Sequence, residues 1–236
     1  MADQPVADDP AEDRTSDPRK SPAMHRDGRA APALGAWVLA CVLGEAVGLT
    51  ASGMVGAVLV PLLAEGPAGG GTLVLEAMMV LAGALEGTCV GVAQWLVLRR
   101  RLPIAPGRWV AATAGGFATG WLAGGLIATL EPQMAAPPGP STVIIVGAFS
   151  GLCLGAVVGL LQALVLRGLA RPVLPWMLAN AAAWASGMVV AYVGASSLGP
   201  GAYTLGHLGL AAVTGGLVGL VVGLITSTAG RLLKTA

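Results

Sequence analysis

The stretch that decides the fold is Gly83-Ala84-Leu85-Glu86-Gly87-Thr88-Cys89-Val90-Gly91-Val92-Ala93-Gln94-Trp95-Leu96-Val97-Leu98-Arg99. Its glycines recur every fourth residue. At 100° per residue such a row drifts only about 40° per step, so it forms a shallow groove along one face of a helix. The rest of the stretch is apolar until Gln94, and it stops at Arg99. The pattern returns twice. Gly151, Gly155, Gly159, Gln162 and Arg167 repeat its spacing, as do Gly215, Gly219, Gly223, Thr226 and Arg231. Each of these segments follows another that opens with Trp and carries small residues seven and eleven places on: Trp37, Gly44, Gly48; Trp109, Gly116, Gly120; Trp176, Ala183, Gly187. A register kept across loops of different length marks an internal repeat, here a helical hairpin present three times, over about 34–101, 108–168 and 175–233.

Composition sets the solvent for these hairpins. Apolar residues make up 55% of the chain, charged residues 11%, and the mean hydropathy is +0.78. A soluble domain carries roughly 25% charged residues. Six apolar stretches are long enough to span a hydrocarbon core about 30 Å thick, which takes roughly 20 helical residues. They run over 34–63, 72–98, 109–130, 142–166, 176–198 and 205–228. The expected fold is therefore an all-α membrane protein of six transmembrane helices, with a six-helix domain over 34–236.

All 13 Lys and Arg fall in the N-terminal tail, at Arg99, Arg100, Arg101 and Arg108, at Arg167 and Arg171, and at Arg231 and Lys234. The alternate loops hold none. Basic residues accumulate on the cytoplasmic side, so both termini are expected there, in a plasma membrane. Residues 1–33 are rich in Asp, Pro, Arg and Ala and poor in aliphatic side chains, which predicts a disordered cytoplasmic tail containing His25. No cleavage site follows the signal-peptide pattern, so the first span is expected to be retained.

In a bilayer no hydrophobic force drives helices together, and close van der Waals contact at small residues is a main source of association. Gly83, Gly87, Gly91, Gly151, Gly155, Gly159, Gly215, Gly219 and Gly223 are accordingly read as helix-packing positions. Trp37, Trp109 and Trp176 begin spans beside polar loops and are expected to form an aromatic belt at the membrane boundary, with Trp95 serving the same boundary. Trp121 and Trp184 lie deeper and are read as core filling, the alternative being that they line an internal surface. Cys41, Cys89 and Cys153 lie within spans, lack CxxC partners and read as small hydrophobes, with no metal or disulfide expected.

The polar residues inside the spans are few. Gln94, Gln162 and Thr226 occupy matching places and predict a ring of polar side chains toward the cytoplasmic side, either interhelical glue or part of a solute site. Glu45 is about 16 Å into the first span and Glu86 about 19 Å above Arg99, at 1.5 Å per residue, so both are expected near mid-bilayer. A charged acid there costs at least about 2.5 kcal/mol, and such residues usually face the bundle interior and often mark ion or proton paths. Two carboxyls brought together share a proton or a cation, because both cannot ionise cheaply. The alternative is a neutral pair bonded to each other or to Thr50, Thr88 or Asn180. Phe117 and Trp184 replace Glu45 in the other repeats, and Leu154 and Val218 replace Glu86. Glu76 is expected near the outer helix end, within reach of water.

The segment Gly87 to Arg99, followed by Trp109-Val110-Ala111-Ala112-Thr113-Ala114-Gly115-Gly116, resembles a group of uncharacterised bacterial multi-pass proteins with recurrent Gly-rich spans and a Gln-Trp-Leu-Val-Leu-Arg ending. The resemblance implies a bacterial inner membrane and carries no known activity.

Function follows from what remains. HExxH, GxSxG and phosphate-loop patterns are missing, His207 is the only histidine outside the tail, and no cofactor motif is legible, so no enzyme is expected. The short Arg clusters are explained by topology, and nucleic acid is not an expected partner. Most repeated features serve packing. That favours an assembly or accessory bundle that associates with itself or with a membrane complex through its glycine faces. The second reading is a small proton- or cation-coupled transporter or channel using Glu45 and Glu86.

Overall fold

In the computed structural model the described residues are 34–64, 71–130, 139–197 and 205–235. The expected tail, 1–33, and the three loops without basic residues lie outside or mostly outside them. Six helices make up nearly all of the described residues: α1 (Leu34–Ala64), α2 (Gly71–Leu98), α3 (Pro106–Leu130), α4 (Pro140–Leu166), α5 (Leu174–Ser196) and α6 (Leu205–Leu232). Five are long and apolar enough to cross a membrane: α1, α2, α4, α5 and α6. This is the build of an integral membrane protein.

Each helix packs on the next along the chain, and α6 packs on α1, closing a ring. The seams differ in how nearly the backbones meet. A Cβ added at Gly87 would lie 2.7 Å from Cα of Ala114 on α3. One at Gly155 would lie 2.8 Å from Cα of Ala181 on α5, and one at Gly219 2.7 Å from Cα of Val42 on α1. Between α1 and α2 the corresponding approach is 2.9 Å, from Gly44 to Cα of Val90, and Ser52 donates across the same seam to the carbonyl of Ala82 at 2.8 Å. Between α3 and α4 the approach is 3.1 Å, from Gly116 to Cα of Val158, and at the next turn a side chain intervenes: Leu154 Cδ1 rests on Gly120, its Cβ farther off at 3.7 Å.

The described basic residues lie at the ends where α2 meets α3, α4 meets α5, and α6 terminates. That end holds the one departure from an all-helical chain among the described residues. Ala170–Arg171 (β1) and Lys234–Thr235 (β2) pair antiparallel, Arg171 opposite Lys234, which ties the α4–α5 loop to the C-terminal segment. The same end is plugged. Leu98, Leu102, Ile104, Leu166, Ala170 and Ala229 are buried there around Trp37, Trp109 and Trp176. Trp95 donates to the carbonyl of Ile104 at 3.0 Å, and the Arg99 guanidinium lies 4.9 Å from its ring centroid, so loop and helix end fold back on each other.

Candidate functional site: a polar plug and a carboxyl pair

The three span-opening tryptophans do not form a boundary belt. Trp37, Trp109 and Trp176 are 4%, 0% and 2% exposed. Trp176 meets Trp37 edge-on with centroids 5.7 Å apart, and Trp109 at 6.0 Å. They converge inside the ring because each lies on the face its helix turns to the neighbouring repeat, a choice that an indole at a helix end leaves open.

Directly beside them sit the expected polar residues. Trp176 Nε1 donates to Gln162 Oε1 at 3.1 Å, and Trp37 Nε1 donates to Thr226 Oγ1 at 2.9 Å. Gln162 Nε2 donates to Gln94 Oε1 at 3.1 Å and to Thr113 Oγ1 at 3.0 Å. Gln94 Nε2 points at Cys41 Sγ, 3.8 Å away. Gln94 and Gln162 are thus brought together, while Thr226 joins them through the tryptophans. Trp109 breaks the sequence: its buried Nε1 has no hydrogen-bond partner. By position its acceptor would be Gln94, whose Oε1 is engaged by Gln162. Thr113 and Cys41 enter this network without having been read as part of it.

Nearer the middle of the ring Glu45 and Glu86 are buried, 1% and 5% exposed, with their carboxyls within hydrogen-bonding reach of each other. Gly48 makes room for this. A Cβ there would lie 3.1 Å from both Cα and Cγ of Glu86, so a larger residue would push α2 and its acid away. Glu86 Oε2 also accepts from Trp121 Nε1 at 2.8 Å. The buried Glu45 Oε1 finds no N–H or O–H donor among the described residues.

Thr50, Thr88 and Asn180, the partners expected for a neutral pair, are turned back on their own helices. They donate to Ala46, Ala84 and Trp176 carbonyls at 2.6, 2.6 and 3.0 Å. Trp121, read as core filling, is the residue that reaches the acids. Glu76 also departs from expectation: it is buried, with Oε2 unpartnered, against the open backbone of Gly125.

Both acids line a cavity of about 590 Å³. Phe117 and Trp184, which take Glu45's place in the other repeats, form its facing wall, ring centroids 4.9 Å apart and edge to face. From this level the cavity extends past Gly53, Gly124 and Ala195 to His207, toward the end without basic residues. Toward the other end lies the tryptophan and glutamine plug. Among the described residues no group of three or more His, Cys, Asp and Glu assembles. Cys41 is buried, Cys89 half-buried and Cys153 exposed, all three as free thiols. No protein family, curated protein or solved structure matches this chain.

Proposed function

We propose that this integral membrane protein binds a proton or a cation inside its helix ring, on the paired carboxyls of Glu45 and Glu86. One observation carries the reading: two acids from adjacent helices meet on the wall of an apolar cavity, and one buried oxygen of Glu45 lacks a donor. Intramembrane acids cost several kcal/mol unless paired or neutralised, and they accumulate on ion and proton paths. Among the described residues no Lys or Arg lines the cavity to supply the opposite charge.

The ring itself is a triplicated hairpin with its chain ends in the cytoplasm of a bacterial inner membrane. Support for the repeat comes from register. Ala114, Val42 and Ala181, the residues that meet Gly87, Gly219 and Gly155, each lie five places after the tryptophan that opens their helix. Val110, Val38 and Met177, which meet Gly91, Gly223 and Gly159, each lie one place after it. The glycine rows hold the ring shut, and α3 completes it as the sixth span. This also bears on the rival assembly role, since glycine faces engaged within the chain are not free to recruit a partner.

The test is flux in proteoliposomes. Glu86→Gln keeps the shape of the side chain and an acceptor for Trp121, so the protein is expected to fold. Loss of pH-driven proton or sodium movement in Glu86→Gln and in Glu45→Gln supports the reading. Flux indistinguishable between these variants and the parent protein overturns it.

A further inference from the structure

We infer that the occupant of this cavity is a protonated organic amine: a primary or secondary ammonium on the two carboxyls, with an apolar body lying against Phe117, Trp121 and Trp184. The inference rests on the cation-site reading above and adds the chemical class of the ligand. Three features of the cavity decide it.

Size comes first. At about 590 Å³ the cavity falls within the roughly 300–1,000 Å³ of small-molecule sites, whereas a water-sized ion needs on the order of 30 Å³. A hard divalent ion would also want six or more oxygens, and beside the two acids the lining is mostly apolar, with Leu49, Leu154 and Val218 among it.

The second feature is the pairing of acid and aromatic ring. Glu45 and Glu86 share one level with Phe117 and Trp184, and Trp121 holds Glu86 from the side. A cation between carboxylates and ring faces gains from both, with desolvated cation–π contacts among the stronger ones. The unpartnered Glu45 Oε1 asks for an N–H donor, which a primary or secondary ammonium carries and a quaternary one lacks.

The third feature is access. Ala123 on α3 and Phe149 and Cys153 on α4 line the cavity and are exposed. The backbones of those helices meet at Gly116 and Val158, but past that point the Leu154 side chain covers Gly120 and a Cβ at Gly124 would meet nothing within 4 Å, so this part of the seam offers an amphiphile dissolved in the bilayer a lateral entrance.

Two close carboxyls in a dry site hold a proton between them, so entry of an ammonium ion displaces that proton and leaves the charge of the site unchanged. The titratable neighbours of the pair are Cys41 on α1 and Cys89 on α2. Cys153, Tyr192 and His207 stand on the cavity wall from α4, α5 and α6.

The experiment uses the full chain in lipid nanodiscs, with 2-phenylethylamine as probe and 2-phenylethanol as its uncharged counterpart. Binding is read by tryptophan fluorescence and by calorimetry in two buffers of different ionisation enthalpy, which counts protons. The expected result is at least tenfold preference for the amine and release of about one proton per amine bound. Affinity should fall at least tenfold in Glu86→Gln and several-fold in Phe117→Leu, a variant that leaves both acids in place. Equal binding of amine and alcohol, or amine binding unchanged in Glu86→Gln, overturns the inference. If the amine does not bind while Glu86-dependent sodium or proton flux persists, the ligand class is wrong and the cation site stands; loss of both overturns both.

Discussion

Replacing Gly87, Gly155 or Gly219 with Ala adds one methyl group at a place where two helix backbones nearly touch. The added Cβ would sit 2.7–2.8 Å from the facing Cα of Ala114, Ala181 or Val42, 0.6–0.7 Å short of the 3.4 Å at which ordinary contact begins. These atoms are backbone, and at Gly155 and Gly219 the carbonyl oxygens of Asn180 and Cys41 lie closer still, so no side chain can swing aside and the helices must part by at least that distance. Overpacking of this kind costs about 1–3 kcal/mol. Against it stands the gain of about 0.5–1 kcal/mol from putting Ala in place of Gly within a helix. The net loss expected for each variant is about 0–2.5 kcal/mol, which is about 1–3 kcal/mol worse than an Ala substitution that meets no obstruction. The three sites lie on different seams, so the triple variant should lose close to the total of the three. Gly56→Ala is the control, because a Cβ at Gly56 meets nothing within 4 Å; it should be neutral or slightly stabilising. The assay is reversible unfolding in mixed micelles, followed by tryptophan fluorescence. If Gly87→Ala, Gly155→Ala and Gly219→Ala match Gly56→Ala, close backbone approach does not hold the ring and the packing argument is refuted.

The remaining predictions concern the plug, the acids and the topology. Trp176→Phe removes the donor to Gln162 Oε1 and should cost about 1–3 kcal/mol more than Trp109→Phe, which removes an indole N–H that has no partner; equal losses in chemical denaturation would count against the hydrogen-bond assignments. Glu86→Leu should destabilise the fold more than Glu86→Gln, because it strands the Trp121 Nε1 donor, and the difference should disappear in a Trp121→Phe background. Single-cysteine probes at Pro138 and Gly199, on a background with the native cysteines removed, should react with a membrane-impermeant reagent from outside, and one at Gly107 should not; external labelling at Gly107 would overturn the orientation.

Much of this molecule is set by local patterns along the chain. Apolar length defines the helices to within a few residues, because the cost of unpaired backbone in lipid forces each crossing segment to be helical. The placement of Arg and Lys is the basis of the proposed threading, and the four-residue glycine rows mark helix faces where backbones approach closely. Rise per residue puts Glu45 and Glu86 at one depth, and the matching offsets of Gln94, Gln162 and Thr226 put them at one level. Periodicity, however, says only which residues share a face. In a bilayer the lipid and the protein interior are both apolar, so hydropathy does not say which face turns inward. The tertiary structure decides that by closing α6 onto α1 and α2 onto α3. Closure turns Trp37, Trp109 and Trp176 from expected boundary anchors into a buried plug, and makes Trp121 the partner of Glu86. It also sets Phe117 and Trp184 across a cavity from the two acids. That cavity belongs to no single helix, and so to no local pattern in the chain.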